Sequence, residues 1–285
     1  MSILLTGSSG FIGSYFRNHF NKKYNITTFS LQKNNIDDID FSSISVVVHL
    51  AALVHQMNGA DNDEYNKINI DYTVELVKKA KECGVEHFVF MSTVKVYGEE
   101  SENIYNENTL CKPIDPYGIS KLKAENLIKK LECKNFKVSI IRTPVVYGKG
   151  VKANILNLIS LVNRIPFIPL GNIQNKRSMV YIGNLCSLID KVIEKKQSGI
   201  FLAADDNPIS TSYLIQLIAN GLEKRIFLFS VPFFSTFLKR YKLNFYQRLF
   251  MNLELDNSNT KEQLSFENPY SIEEGINKML EDMKV

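Results

Sequence analysis

Tryptophan is absent from these 285 residues, and cysteine occurs four times, at Cys83, Cys111, Cys133 and Cys186. No two cysteines form a CxxC pair and none has a histidine at metal-ligand spacing. A disulfide framework and a zinc site are therefore not suggested, and a reducing, cytoplasmic setting is expected. Charge of one sign is scarce too: 34 lysines and arginines against 30 carboxylates leave a net charge of +4. The lysines gather in helical-looking patches such as Lys78, Lys79 and Lys81, the pattern of a solvated face, so no nucleic-acid partner is indicated. A basic leader, a long apolar core and a small-residue cleavage site are missing near Met1, so no export segment is expected. The most apolar later stretch, "IFLFSVPFFSTFL" at 226–238, is bounded by Arg225, Lys239 and Arg240 and is too short and proline-broken to span a bilayer. It reads as a buried strand and helix of a second lobe, with a membrane-surface or partner contact as the other reading.

What the chain does have is alternation. Short β-branched runs ("SILLT", "NITTF", "ISVVVHL", "HFVFMS", "KVSIIR") alternate with amphipathic segments from about Phe11, near 62–82 and from Tyr117. That order predicts an α/β fold with a parallel sheet covered by helices on both faces. After Gly150 the pattern loosens: "PFIPLG" at 166–171 reads as a turn-rich insertion, and "GIFLAA" at 199–204 as one more buried strand returning to the sheet. The expected division is a dinucleotide-binding domain over 1–150, rejoined by 176–205, and a substrate lobe from 151–175 and 206–285.

"TGSSGFIG" sets Gly7, Gly10 and Gly13 between the first strand and the first helix. Gly7 permits the tight turn, Gly10 lets the backbone approach a diphosphate, and Gly13 lets helix pack on strand, with the anion at the helix N-terminus. A fold of this kind that selects NAD carries an acid after its second strand to bind the ribose 2′-hydroxyl. Here "TTFSLQK" offers Ser30, Gln32 and Lys33 and no carboxylate. A 2′-phosphate meets no repulsion there, and Ser30 or Lys33 is placed to contact it, which favours NADP over NAD.

Tyr117 and Lys121 in "PYGISK" are four residues apart and share one helical face. About one such pair is expected by chance in a chain this rich in tyrosine and lysine, so context has to supply the specificity. The pair follows Pro116, opens a helix, and comes after Ser92 and Thr93, which close a buried strand at the sheet's ligand-binding edge. Hydride transfer at a carbinol needs a proton to move on or off its oxygen. A tyrosine does this if a nearby lysine cation lowers its pKa, and a threonine hydroxyl can hold and polarise the same oxygen. His49 and His55 flank "LAALV"; His49 ends a strand and reads as a core group, while His55 lies on a loop facing the expected substrate.

On these residues the chain resembles the extended short-chain dehydrogenases/reductases, the nucleotide-sugar epimerase/dehydratase family, nearly end to end. The matching segments are "TGSSGFIG", "VVVHLAA", "NIDYT", "STVKVYG", "PYGISK", "RTPVVYGKG" and "RSMVYIGNL". The resemblance implies a Rossmann-type doubly wound sheet with a smaller C-terminal substrate lobe. It implies Thr93, Tyr117 and Lys121 as the catalytic group. It places the cofactor, NADP or NAD, against Gly7, Gly10, Phe11, Ile12, Gly13, Ser30, Lys33, Asn35, Ile36, Leu50, Ala51 and Ala52, with Tyr117 and Lys121 also on the cofactor side and Lys121 bonding the nicotinamide ribose. Asn154 and Arg177 would hold the diphosphate of a UDP-sugar, with Lys95 and His55 also on the substrate side, and the helices near 62–82 and 117–131 would pair in a homodimer.

The family contains three chemistries. Dehydratases follow the catalytic threonine with an Asp-Glu pair; here Val94 and Lys95 stand in those places, which disfavours elimination. Hydride transfer at C4 remains, either as reduction of a 4-ketone or as 4-epimerisation by removal and return of hydride. The segments are most similar to a bacterial branch related to UDP-glucose 4-epimerases, which includes reductases of UDP-4-keto-6-deoxy-N-acetylhexosamines for surface polysaccharides. The missing acid after the second strand, and Val145 where 4-epimerases carry an asparagine, favour the reductase. A non-catalytic dinucleotide sensor would have lost the tyrosine or lysine, and both are intact.

Overall fold

A computed structural model describes residues 1–30, 34–54, 62–98 and 103–283. The chain opens with β1 (Ser2–Thr6), α1 (Phe11–Phe20), β2 (Asn25–Phe29) and β3 (Val46–His49). A long helical stretch follows, α2 (Asn62–Asn66) running through a π-turn at Lys67–Asp71 into α3 (Tyr72–Glu82). Next come β4 (His87–Thr93), α4 (Pro116–Lys129), β5 (Lys137–Thr143), β6 (Val145–Tyr147), α5 (Ala153–Arg164) and β7 (Phe167–Ile168). The chain continues through β8 (Met179–Tyr181), α6 (Ile182–Lys195), β9 (Gly199–Leu202), α7 (Thr211–Gly221), β10 (Phe227–Leu228), α8 (Phe234–Tyr241) and α9 (Leu243–Phe250).

Six strands form one parallel sheet in the order β2-β1-β3-β4-β5-β9, as the alternation predicts. Their near-continuous apolar runs are what a parallel sheet buried on both faces requires; β3 and β4 are buried at every residue. Successive residues of one strand feed opposite layers. Ile3 and Leu5 join Phe16, Leu185, Ile189 and Val192 under α1 and α6. Leu4 and Val47 join Leu76, Val77, Ala124 and Ile128 under α3 and α4. The strand order reverses between β1 and β3, so the loops leaving those two strands open the crevice where ligands of such sheets sit.

Two expectations change. The 166–171 insertion contains β7, which pairs in parallel with β10 as a separate two-stranded sheet. The 226–238 stretch does form a strand and a helix, but it is not buried: Phe227, Phe229, Phe233 and Phe237 all stand exposed, and Leu238 is the buried residue of α8. Its apolar composition signals burial, yet no further layer of the described chain covers it. Among the described residues no helix is long and apolar enough to cross a membrane.

Candidate active site

The glycine loop is built by close backbone approach. Gly7 has φ +69°, and a β-carbon there would lie 2.7 Å from the Ala51 nitrogen. One on Gly13 would lie 2.2 Å from the Gly7 carbonyl oxygen, so the turn and the seating of α1 both require glycine. Gly10 caps α1 without a side-chain hydrogen bond, leaving the first-turn N–H groups available to an anion. Phe11 and Ile12 pack from α1 onto the core beneath. Across the crevice the Ala51 N–H donates to Thr6 Oγ1 (3.3 Å), the Leu50 backbone approaches Gly7, and Ala52 follows, half-buried. This cradle, which a β-carbon would fill, fits a dinucleotide diphosphate.

Beneath the cradle His49 is fully buried, its Nδ1 2.7 Å from Thr6 Oγ1 and its Nε2 3.0 Å from Thr73 Oγ1. Burial, with the Lys121 charge as a lesser cause, pushes its pKa down to about 3. It is the core group the sequence suggests, joining β1, β3 and α3. At the end of β2, Ser30 is half-buried. Asn35 caps a short turn, its Oδ1 accepting from the Asp37 N–H at 3.4 Å, and the Ile36 side chain enters the core while its carbonyl accepts from the Ile39 N–H (3.2 Å). Lys33 and His55 lie outside the described residues.

The three residues expected to be catalytic stand on β4 and α4, two elements that pack against each other. Thr93 ends β4, its Oγ1 accepting from the Lys95 N–H (3.3 Å). Lys95 reaches Asp115 Oδ2 with its Nζ (3.1 Å), and Asp115 Oδ1 accepts from the Gly118 N–H (3.1 Å) to cap α4. A β-carbon on Gly118 would lie 2.8 Å from the Lys95 carbonyl oxygen, so this glycine lets α4 press onto the turn after Thr93. In the sequence the only signals for Asp115 and Gly118 are the capping position before Pro116 and the small residue next to Tyr117.

Asn69, buried in the π-turn, completes the frame. It accepts from the Leu53 N–H (2.8 Å), donates to the Leu53 carbonyl (3.0 Å) and to Ser120 Oγ (3.0 Å), and Ser120 donates to the Tyr117 carbonyl (2.8 Å). The Tyr117 ring lies 6.4 Å from that of Tyr65.

The electrostatics differ from expectation. Burial raises the Tyr117 phenol well above its ordinary value, and the Asp115 carboxylate adds to this. Lys121, 1 % exposed, has its Nζ 3.8 Å above the Phe90 ring. Burial pulls its pKa down to about 7, with Glu125 opposing. The dry site that should let a lysine cation depress the phenol penalises that cation first.

A pH dependence follows. Between about 7 and 10.5 the unfolded chain holds a proton on Lys121 that the folded chain releases. The folded state therefore gains stability as pH rises through that window, and below about 7 the full penalty of a buried cation remains. Urea midpoints measured across that range should rise for the parent relative to Lys121→Met.

The residues expected at the substrate diphosphate come together elsewhere on the rim. Asn154 Oδ1 accepts from Arg248 Nη1 (3.1 Å), and Arg177 Nη1 donates to the carbonyls of Gln247 (3.3 Å) and Met251 (2.9 Å). Both are thereby tied to α9, and Arg248 is a second cation beside Arg177 that no motif in the sequence points to. A cleft of about 330 Å³ opens close by, lined among others by Asn172, Gln174, Asn175, Ser230 and Val231.

Residues 3–204 match the model of the NAD dependent epimerase/dehydratase family. The chain belongs to that family. It is 34% identical over 305 residues to a UDP-glucose 4-epimerase of Vibrio cholerae, covering 96% of this chain and 93% of the relative. It is 25% identical over 252 residues to an Escherichia coli O157:H7 N-acetyl-alpha-D-glucosaminyl-diphospho-ditrans,octacis-undecaprenol 4-epimerase, covering 81% and 76%. The fold superposes on that of RMD from Pseudomonas aeruginosa, solved with NADPH, with a TM-score of 0.81, 18% identity and full coverage of both chains. The protein is thus an enzyme of an NAD(P)-dependent epimerase and reductase family.

Proposed function

We propose that this enzyme is a 4-ketoreductase of a UDP-4-keto-6-deoxy-N-acetylhexosamine. The observation that carries the reading is Ser30 at the end of β2, a hydroxyl where an enzyme that retains NAD would place a carboxylate. An exchanging cofactor with a 2′-phosphate meets no repulsion there. When bound, the reduced nicotinamide supplies hydride to C4 of the sugar. Thr93 at the end of β4 holds the ketone oxygen. As negative charge develops on that oxygen, the Tyr117 O–H donates its proton. A phenol held protonated by burial suits this direction of transfer. Lys121, poised to titrate at about 7, stands one helical turn behind and can restore the proton. Asn154 and Arg177 hold the diphosphate.

The 34% identity to a UDP-glucose 4-epimerase over 96% of the chain supports 4-epimerisation as the second reading. One experiment separates the two. Purified enzyme given the 4-keto sugar and NADPH should consume nicotinamide absorbance mole for mole with product. Epimerisation of a UDP-hexose without added cofactor, with no consumption of NADPH on the keto sugar, would sink the reductase proposal.

A further inference from the structure

The exposed aromatic segment carries an unusual charge pattern. Between Glu223 and Glu254 the chain has no carboxylate and six cations: Lys224, Arg225, Lys239, Arg240, Lys242 and Arg248. Over the same span Phe227 is 61 % exposed, Phe233 84 %, Phe237 55 %, Tyr241 62 % and Phe245 56 %. Soluble surfaces rarely present so many large apolar side chains together, and where they do the patch binds something. Both α8 and α9 are amphipathic, with Leu238 and Leu249 as their buried residues.

The aromatic groups are built to stay outside. Phe233, at the entry to α8, sits at φ +61°, a left-handed conformation that costs a bulky residue energy and that turns the chain at the most exposed ring. Phe227 bridges to Phe167 (6.2 Å between ring centres) and Phe229 (6.4 Å), and Phe237 to Tyr241 (5.0 Å). The cations interleave with them: Arg240 lies 5.9 Å from the Tyr241 ring and Lys239 5.7 Å from that of Tyr246.

We propose that the 224–250 face docks on the surface of an anionic lipid bilayer, with the phenylalanines seated at the headgroup boundary and Lys239, Arg240 and Lys242 on the lipid phosphates. Short amphipathic helices with aromatic residues on one side and lysine and arginine beside them lie in such an interface rather than across it. A second copy of the chain is the poorer occupant, because joining two such faces would bring twelve cations together with no carboxylate from the segment to offset them. The face adjoins the cleft between 172–175 and 230–231, so docking would bring that cleft to the lipid surface. None of this depends on whether the chemistry is reduction or epimerisation.

The test is co-sedimentation of the full chain with phosphatidylglycerol vesicles and with phosphatidylcholine vesicles, at low and raised salt. Binding should favour phosphatidylglycerol by about tenfold or more and fall as salt rises. Phe233→Ser with Phe237→Ser, and separately Lys239→Glu with Arg240→Glu and Lys242→Glu, should each lower binding, the charge reversal by at least about 100-fold. Their urea midpoints should stay at the parent value, since the residues are exposed. Equal sedimentation with both lipids, or none with either, would overturn the proposal. So would a parent dimer that the phenylalanine variants convert to monomers, which would assign the face to a second copy.

Discussion

Replacing Tyr117 by phenylalanine should lower turnover by about 10²–10⁴-fold while leaving dinucleotide affinity at the parent value. The change removes the oxygen that carries the proton and keeps the ring, so packing near Tyr65 at 6.4 Å survives. The cradle for the diphosphate belongs to other elements, the loop after β1 and the chain after β3. Single-turnover rates with the keto sugar, beside a fluorescence titration of the dinucleotide, separate the two effects. A variant with unaltered activity would remove Tyr117 from the chemistry. A variant that also failed to bind dinucleotide would show a structural role instead. Thr93→Val should be the milder change, because it removes a partner that holds the oxygen but not the group that protonates it.

The parallel sheet was legible because a strand buried on both faces leaves a continuous apolar run, and "SILLT", "VVVH" and "HFVFMST" are such runs. The glycine loop was legible because three glycines spaced between a strand and a helix are themselves the signal; Gly13 answers to the nearby Gly7 carbonyl, whereas Gly7 answers to Leu50 and Ala51 across the crevice, which the spacing alone does not show. What was not legible depends on contacts made far along the chain. The apolar 226–238 stretch carries no record of what covers it, and the structure leaves it uncovered. The pairing of Glu125 on α4 with Arg142 on β5 is likewise a contact between separate segments, which the spacing within either one does not reveal. The electrostatics of Lys121 were not legible for a related reason. Spacing shows that a lysine is near a tyrosine, but the degree of burial sets how readily that lysine keeps its proton.

Removing the Arg142 guanidinium should be the most damaging single change to stability. Arg142 and Glu125 are 3 % and 1 % exposed. Their contact is bidentate, with Nη2 at 2.6 Å from Oε2 and Nε at 3.1 Å and 3.2 Å from the two oxygens. Arg142 Nη1 also donates to the Tyr97 hydroxyl at 2.8 Å, and Ser92 Oγ donates to Glu125. Arg142→Met strips the buried carboxylate of every partner shown but Ser92. Breaking such a pair costs about 3–5 kcal/mol, a large share of the roughly 5–15 kcal/mol that holds a domain folded. The urea midpoint should therefore drop steeply, and Glu125→Leu with Arg142→Met together should lose less than the sum of the two single changes, because neither charge is then stranded. A parent-like midpoint for Arg142→Met would show that water reaches the pair. The cluster also joins the residue before Thr93 to the helix turn after Lys121, so its loss should loosen the seat of α4 on β4. In a variant that still folds, kcat should fall more than dinucleotide affinity, since the glycine cradle lies on other strands.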